Sequence, residues 1–183
     1  MPTSGGLTVD LADAASSTDA AFVRTLCELV NQVYADSEKG LWRDGAVRTS
    51  PEEIVAVIVA GELLVARTTD NDVVGCVRVH DVAADISEFG LLAASPDHQA
   101  RGVGRALVDE AERRSRDREL AAIQLELLVP RDWEHPSKAL LAAWYSRRGY
   151  QHVDTVAFDG PYPHLAPLLS TPCELRVYRK SLG

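Results

Sequence analysis

The chain has 183 residues, 46% apolar and 25% charged, with a formal charge of −8. That length suits one compact domain spanning residues 1–183, with its core over about 7–180, and is short for two. The acidic balance disfavours nucleic acid as a partner, and no apolar run approaches the length of a membrane span.

Residues 7–11 alternate and read as a first strand. Thr18 or Asp19 can cap a helix whose apolar face includes Phe22, Val23, Leu26, Leu29, Val30 and Val33. The polar and aromatic stretch 34–49 reads as a loop. Ser50, Pro51 and Glu53 then supply an N-cap, a first-turn proline and a capping-box glutamate for a helix ending near residue 60. Strands at 62–67 and 72–80 flank an Asp70-Asn71 turn, hence a hairpin. A strand at 85–94 precedes a glycine-rich turn, a helix to about 118 and a strand at 122–129. A helix at 137–148, a strand at 151–158, a Pro-rich connection and a last strand at 173–180 complete the chain. Cys27, Cys76 and Cys173 are scattered without metal spacing and suit buried thiols in a reducing cytoplasm. No metal site is expected from them or from the five histidines. The N-terminus lacks a charged, apolar leader, so a cytoplasmic location is expected.

The turn Gln99-Ala100-Arg101-Gly102-Val103-Gly104-Arg105 carries the most specific signal. A strand, a glycine-rich turn and a helix start together make an anion site, because the first N–H groups of a helix are unpaired and its dipole is positive there. Arg101 and Arg105 are unfavourable beside that dipole unless a polyanion lies between them. A P-loop would require Lys-Ser or Lys-Thr after the last glycine, where Arg105-Ala106 stands. A dinucleotide fingerprint would place a third glycine where Leu107 stands.

Gln-x-x-Gly-x-Gly instead resembles the coenzyme A pyrophosphate loop of the GNAT superfamily of N-acetyltransferases. A second segment, Trp144-Tyr145-Ser146-Arg147-Arg148-Gly149-Tyr150, resembles that superfamily's aromatic-Tyr-x-x-x-Gly-aromatic run. Gly149 there suits a helix C-cap and the two arginines suit the last turn. The resemblance implies an α/β fold of GNAT type, a mixed and mainly antiparallel sheet flanked by helices on both sides. It implies an acetyl-CoA-dependent N-acetyltransferase acting by direct transfer in a ternary complex. A non-catalytic coenzyme A-binding domain and an O-acyltransferase share the same motifs.

Site residues follow from the resemblance. Leu92, Ala93 and Ala94 would hold the pantetheine arm where the strand parts from its neighbour, and a backbone N–H there could hold an oxyanion. The loop residues Gln99, Ala100, Arg101, Gly102, Val103, Gly104 and Arg105 would hold the pyrophosphate. Tyr145 would be the general acid, a phenol of pKa about 10 suiting an alkyl thiolate. The base is either Glu88 or Glu126, each an acidic residue in an otherwise apolar strand, with Glu88 preferred because it shares the parity of Gly90 and Leu92. Tyr34, Glu38, Trp42 and Tyr162 are candidates for the acceptor, since aromatics beside a carboxylate suit an ammonium group. The acceptor would be a small-molecule amine or a peptide or protein amine, and a homodimer is allowed. The usual pantetheine-binding asparagine is missing, with Asp132 and Ser137 the polar residues nearest its place.

Overall fold

The caps read from the sequence set the first two helices. In the computed structural model, which describes residues 6–183 without the side chains of Gln99 and Ala100, Asp19 accepts from the Ala21 and Phe22 N–H groups at 3.0 and 3.1 Å. Helix α1 (Ala20–Ser37) starts there. Ser50 and Glu53 close the capping box of α2 (Pro51–Val59), with Pro51 in the first turn where no N–H is needed. The loop expected from Tyr34 starts later. Helix α1 continues through Ser37 because Val30, Val33 and Tyr34 extend its apolar stripe against the sheet.

The strands are β1 (Thr8–Leu11), β2 (Leu63–Arg67), β3 (Val73–Ala83), β4 (Ile86–Ala94), β5 (Ala122–Pro130), β6 (Gln151–Ala157) and β7 (Cys173–Ser181). Helix α3 (Val103–Asp117) follows β4 and α4 (Pro136–Arg147) follows β5, so the element order is the expected one. Among the described residues the strands form one sheet in the order β1-β2-β3-β4-β5-β7-β6, antiparallel throughout except at β4–β5. Helices α1 and α2 cover one face, laying Leu26, Val30, Ile54 and Ile58 over Leu63, Val65, Cys76 and Ala93. Helices α3 and α4 cover the other, where Leu107, Ala111 and Tyr145 meet Phe89, Ile123 and Leu125.

One glycine fixes how α3 sits. A Cβ on Gly75 would fall 2.6 Å from Val103 Cγ1 and 2.9 Å from both Ala93 O and Leu107 Cδ1. The bare backbone of β3 therefore lets the first turn of α3 lie close to the end of β4.

Glu112 locks the rear of that helix. It is buried, and it accepts from Lys180 Nζ at 2.8 Å, Arg116 Nη2 at 3.1 Å and Tyr150 Oη at 3.1 Å, with Arg148 Nη2 at 3.4 Å. Burial alone would raise its pKa, but Lys180, Arg116 and Tyr150 overcome that and hold it below the ordinary value. Glu112→Leu is expected to cost about 2–3 kcal/mol at pH 7, read as a lower urea midpoint. The contribution should be present above the ordinary glutamate pKa and fade as pH falls through the lowered one. Wild type and variant should therefore converge in acid, and parallel curves across pH would refute the account.

Candidate active site between the parted strands

Strands β4 and β5 pair only at their starts, Ile86 with Ala122, Ser87 with Ile123 and Glu88 with Gln124. Beyond that point β4 stays with β3 as far as Ala94, β5 stays with β7 as far as Pro130, and the two part. A β-bulge marks the parting. Gly90 pairs with Arg78 and Ala93 with Cys76, so Leu91 and Leu92 together stand opposite Val77. Leu91 takes φ +50°, a left-handed value costly for a residue other than glycine.

The bulge corrects one expectation. Strict alternation placed Leu92 on the same side as Glu88 and Gly90. The extra residue reverses every parity after it, so Leu91 packs under α1 and α2 while Leu92 packs with the α3–α4 core. Glu88 remains on the α1–α2 side, opposite Phe89.

The gap opens a cavity. Tyr34, Glu38, Trp42, Glu88, Leu92, Glu126, Tyr145 and Tyr162, all expected site residues, line it together. At its base Glu88 accepts from Gln124 Nε2 at 2.8 Å, and Gln124 Oε1 accepts from Arg179 at 2.8 and 3.1 Å. Burial raises the Glu88 pKa and nearby Glu126 adds to the rise, against the Gln124 hydrogen bond and Arg78. Glu126 lies two residues along β5 and accepts from Tyr162 Oη at 2.8 Å. That phenol is driven up in pKa by burial first, then by the carboxylate it bonds. Both candidate bases thus face one cavity, with an amide on one and a phenol on the other. His80 stands across from Glu88 on β3, its Nδ1 buried without a hydrogen-bond partner among the described residues.

Tyr145 reaches the cavity from the opposite face of the sheet. Its ring meets Trp144, Tyr150 and Phe89 at centroid distances of 5.0, 5.8 and 5.9 Å. Burial raises its pKa, Tyr34 raises it further, and no hydrogen bond contributes. The Tyr34 hydroxyl, also buried, is pushed up to about 12 by burial above all.

Glu38 was expected to face the ammonium group of an acceptor. It already holds one from within the fold. Lys138 Nζ lies 2.6 Å from its Oε1, Trp42 Nε1 donates to its Oε2 at 2.5 Å, and the two ionic side chains are only 4–5% exposed. A carboxylate taken out of water requires such partners. Trp42 also packs edge-on against Phe158 at 5.8 Å, so it is both wall and core. Sequence reading missed Lys138, because lysine is rarely buried and nothing local marks this one.

Beyond the end of β4, a 3-10 turn (Pro96–Arg101) leads to Gly102, which starts α3 at φ +72° with no side-chain cap. A Cβ on Gly104 would meet nothing closer than Ala94 Cβ at 4.0 Å, so packing alone does not require a glycine there. The expected cofactor residues divide. Val103 of the loop and Ala93 of β4 point into the core, which leaves them only backbone groups to offer. Arg101 and Arg105 are exposed, the latter 3.5 Å from Asp109, and the side chains of Gln99 and Ala100 lie outside the described residues. Asp132 is exposed, and neither it nor Ser137 lines the cavity. His135 stands at the N-cap position of α4 without a side-chain capping bond, its Nε2 3.1 Å from Lys39 O. Among the described residues no helix is long and apolar enough to cross a membrane.

A family model described as an acetyltransferase (GNAT) domain matches residues 59–152. A search of curated protein sequences finds no match. Among solved structures, the chain is similar to PaiA N-acetyltransferase from Thermoplasma acidophilum in complex with coenzyme A, at TM-score 0.68 and 16% identity over 96% of this chain and 99% of that one. It is similar to the ribosomal-protein-S18-alanine N-acetyltransferase from Escherichia coli, at 0.66 and 13% over 97% and 95%. A Salmonella typhimurium protein solved with its cofactor acetyl-CoA scores 0.64 at 17% identity, over 97% and 95%. At such identities the likeness is one of fold.

Proposed function

Because the chain belongs to the GNAT acetyltransferase family, we propose that it moves an acetyl group from acetyl-coenzyme A directly onto an amine, with both substrates bound at once. What carries this reading is the parting of β4 and β5, with two carboxylates on one side of the gap and the Tyr145 phenol on the other.

The chain's own residues fit the cofactor. Gly102 in its left-handed conformation and Gly104, which packing does not require to be bare, leave the first backbone amides of α3 open to a pyrophosphate. Arg101 and Arg105 stand exposed nearby. Past Glu88 neither Leu92 nor Ala94 pairs with β5, and the gap so left suits an amide-bearing arm. When bound, acetyl-coenzyme A would supply an acyl group activated as a thioester.

Glu88 would take the proton of the incoming ammonium. Burial raises its pKa, which makes its ionised form a better base than an exposed carboxylate. Tyr145 would return a proton to the departing sulfur. Direct transfer is favoured over a covalent enzyme intermediate by the cysteines, which lie outside the cavity lining. All three are buried, and burial pushes Cys76 up to about 12 and Cys173 to about 11.

The test begins with binding. Saturating coenzyme A should raise the melting midpoint by about 5–10 °C. Gly104→Val should fold but lose the shift, since its side chain would occupy the space before the loop. A folded variant that still responds fully would refute the loop assignment. Thiol release from acetyl-coenzyme A across a panel of amines then tests the transfer itself.

A further inference from the structure

A surface groove bounded by α2, β3, β4 and the connection between β6 and β7 adjoins the central cavity. The two share Arg48, Glu88, Gly90, Leu91, Tyr162 and Leu165, so Arg48 and Glu88 border both, on the path an acceptor would take from the surface. Most charges along this path are already committed. Glu62 pairs with Arg78 at 2.8 Å, and Lys138 with Glu38 at 2.6 Å. Glu53 accepts from Thr49 Oγ1 and the Ser50 N–H within the capping box. Glu126 is held by Tyr162. Among the described residues, Arg48 is the one cation in either lining with no carboxylate at ion-pair distance.

Arg48 is also held in place. Asn31 Oδ1, on α1, accepts from the Arg48 and Thr49 N–H groups at 2.8 and 3.0 Å, and Asn31 Nδ2 donates to Thr49 O at 3.0 Å. One turn further along α1, the Tyr34 ring carries the Arg48 guanidinium at 5.1 Å from its centroid. An arginine anchored at its backbone, stacked on one face and free of any carboxylate has its planar donor edge available for an anion.

We propose that the acceptor is an amine that also bears a carboxylate, as an amino acid does, with the carboxylate held by Arg48 and the amine turned to Glu88. This rests on the acetyl-transfer reading. In the step, the N–C bond forms as the C–S bond breaks; of the two protons the ammonium nitrogen sheds, one passes to Glu88, Tyr145 gives its own to sulfur, and the second nitrogen proton restores Tyr145 by way of solvent. The overall charge of −8 suggests a cationic acceptor, but the local charges favour a zwitterion. The negative end of the site is the proton acceptor, and the guanidinium is left for the far end of the substrate.

The experiment pairs each of a panel of α-amino acids with its carboxamide and measures kcat/KM with acetyl-coenzyme A. Wild type should favour the acid by about 10–100-fold. Arg48→Gln should bring that ratio close to one, and Arg48→Lys should restore part of it. Equal use of acid and amide, a ratio that survives Arg48→Gln, or transfer confined to amines without a carboxylate would each overturn the proposal and leave acetyl transfer standing. Coenzyme A binding with no transfer to any amine would instead sink the transfer reading. Calorimetry of the same amino acids against coenzyme A-saturated protein then decides: binding lost in Arg48→Gln upholds the anion site, and absence of binding ends it.

Discussion

Tyr145→Phe should lower turnover about 10²–10⁴-fold while leaving coenzyme A binding and the melting midpoint nearly unchanged. The substitution removes one oxygen. The ring keeps its contacts with Trp144, Tyr150 and Phe89, and no hydrogen bond is broken, because none contributes to the state of that hydroxyl. A structural role would therefore be preserved and an acid role lost. Burial drives the phenol's pKa well above its ordinary value of 10.0, so it stays protonated wherever the enzyme works. The wild-type profile should then show no alkaline fall from this group below about pH 10. Single-turnover rates with a chemistry-limited acceptor are the measurement, and a Phe variant at wild-type rate would return Tyr145 to packing alone.

Glu88→Gln should cost a comparable factor, about 10²–10⁴ in kcat/KM, and should erase the rise of rate with pH. Only the ionised carboxylate accepts a proton. Because burial raises its pKa above 4.5, the rising limb in wild type should lie above the usual carboxylate range. Glu126→Gln should cost much less. Its role toward Tyr162 is that of a hydrogen-bond acceptor, which an amide oxygen can still fill. The opposite ranking of the two variants in a pH-rate series would assign the base to Glu126.

What could be read in the sequence was local. The capping box at Ser50, the Asp19 cap and the glycine-rich start of α3 each depend on a few consecutive residues, and each stands as expected. Tyr145 and the two glutamates were legible because motif and strand pattern point to them. The features that join them are not local. The bulge at Leu91 leaves no mark in an alternating apolar strand, yet it turns Leu92 to the opposite face. Lys138 and Glu38 are 100 residues apart and pair only once the cavity closes around them. Arg48 sits in a stretch read as plain loop, and its place depends on Asn31 and Tyr34 reaching it from α1. Gly75 looks like any strand glycine until α3 is laid against it.

The short seam between β4 and β5 also divides the molecule mechanically. Among the described residues, three residue pairs are the only ladder joining the β1–β4 ribbon to the β5–β7 ribbon. Within each ribbon the ladders are longer, four to nine paired positions, so the seam is where the sheet gives first under thermal agitation. Without ligand, the two ribbons should exchange amide protons as separate cooperative units. A molecule bonded to both lips of the gap acts as a suture, and its arrival should be felt as slower exchange far out on β6 and β7, in residues it never touches.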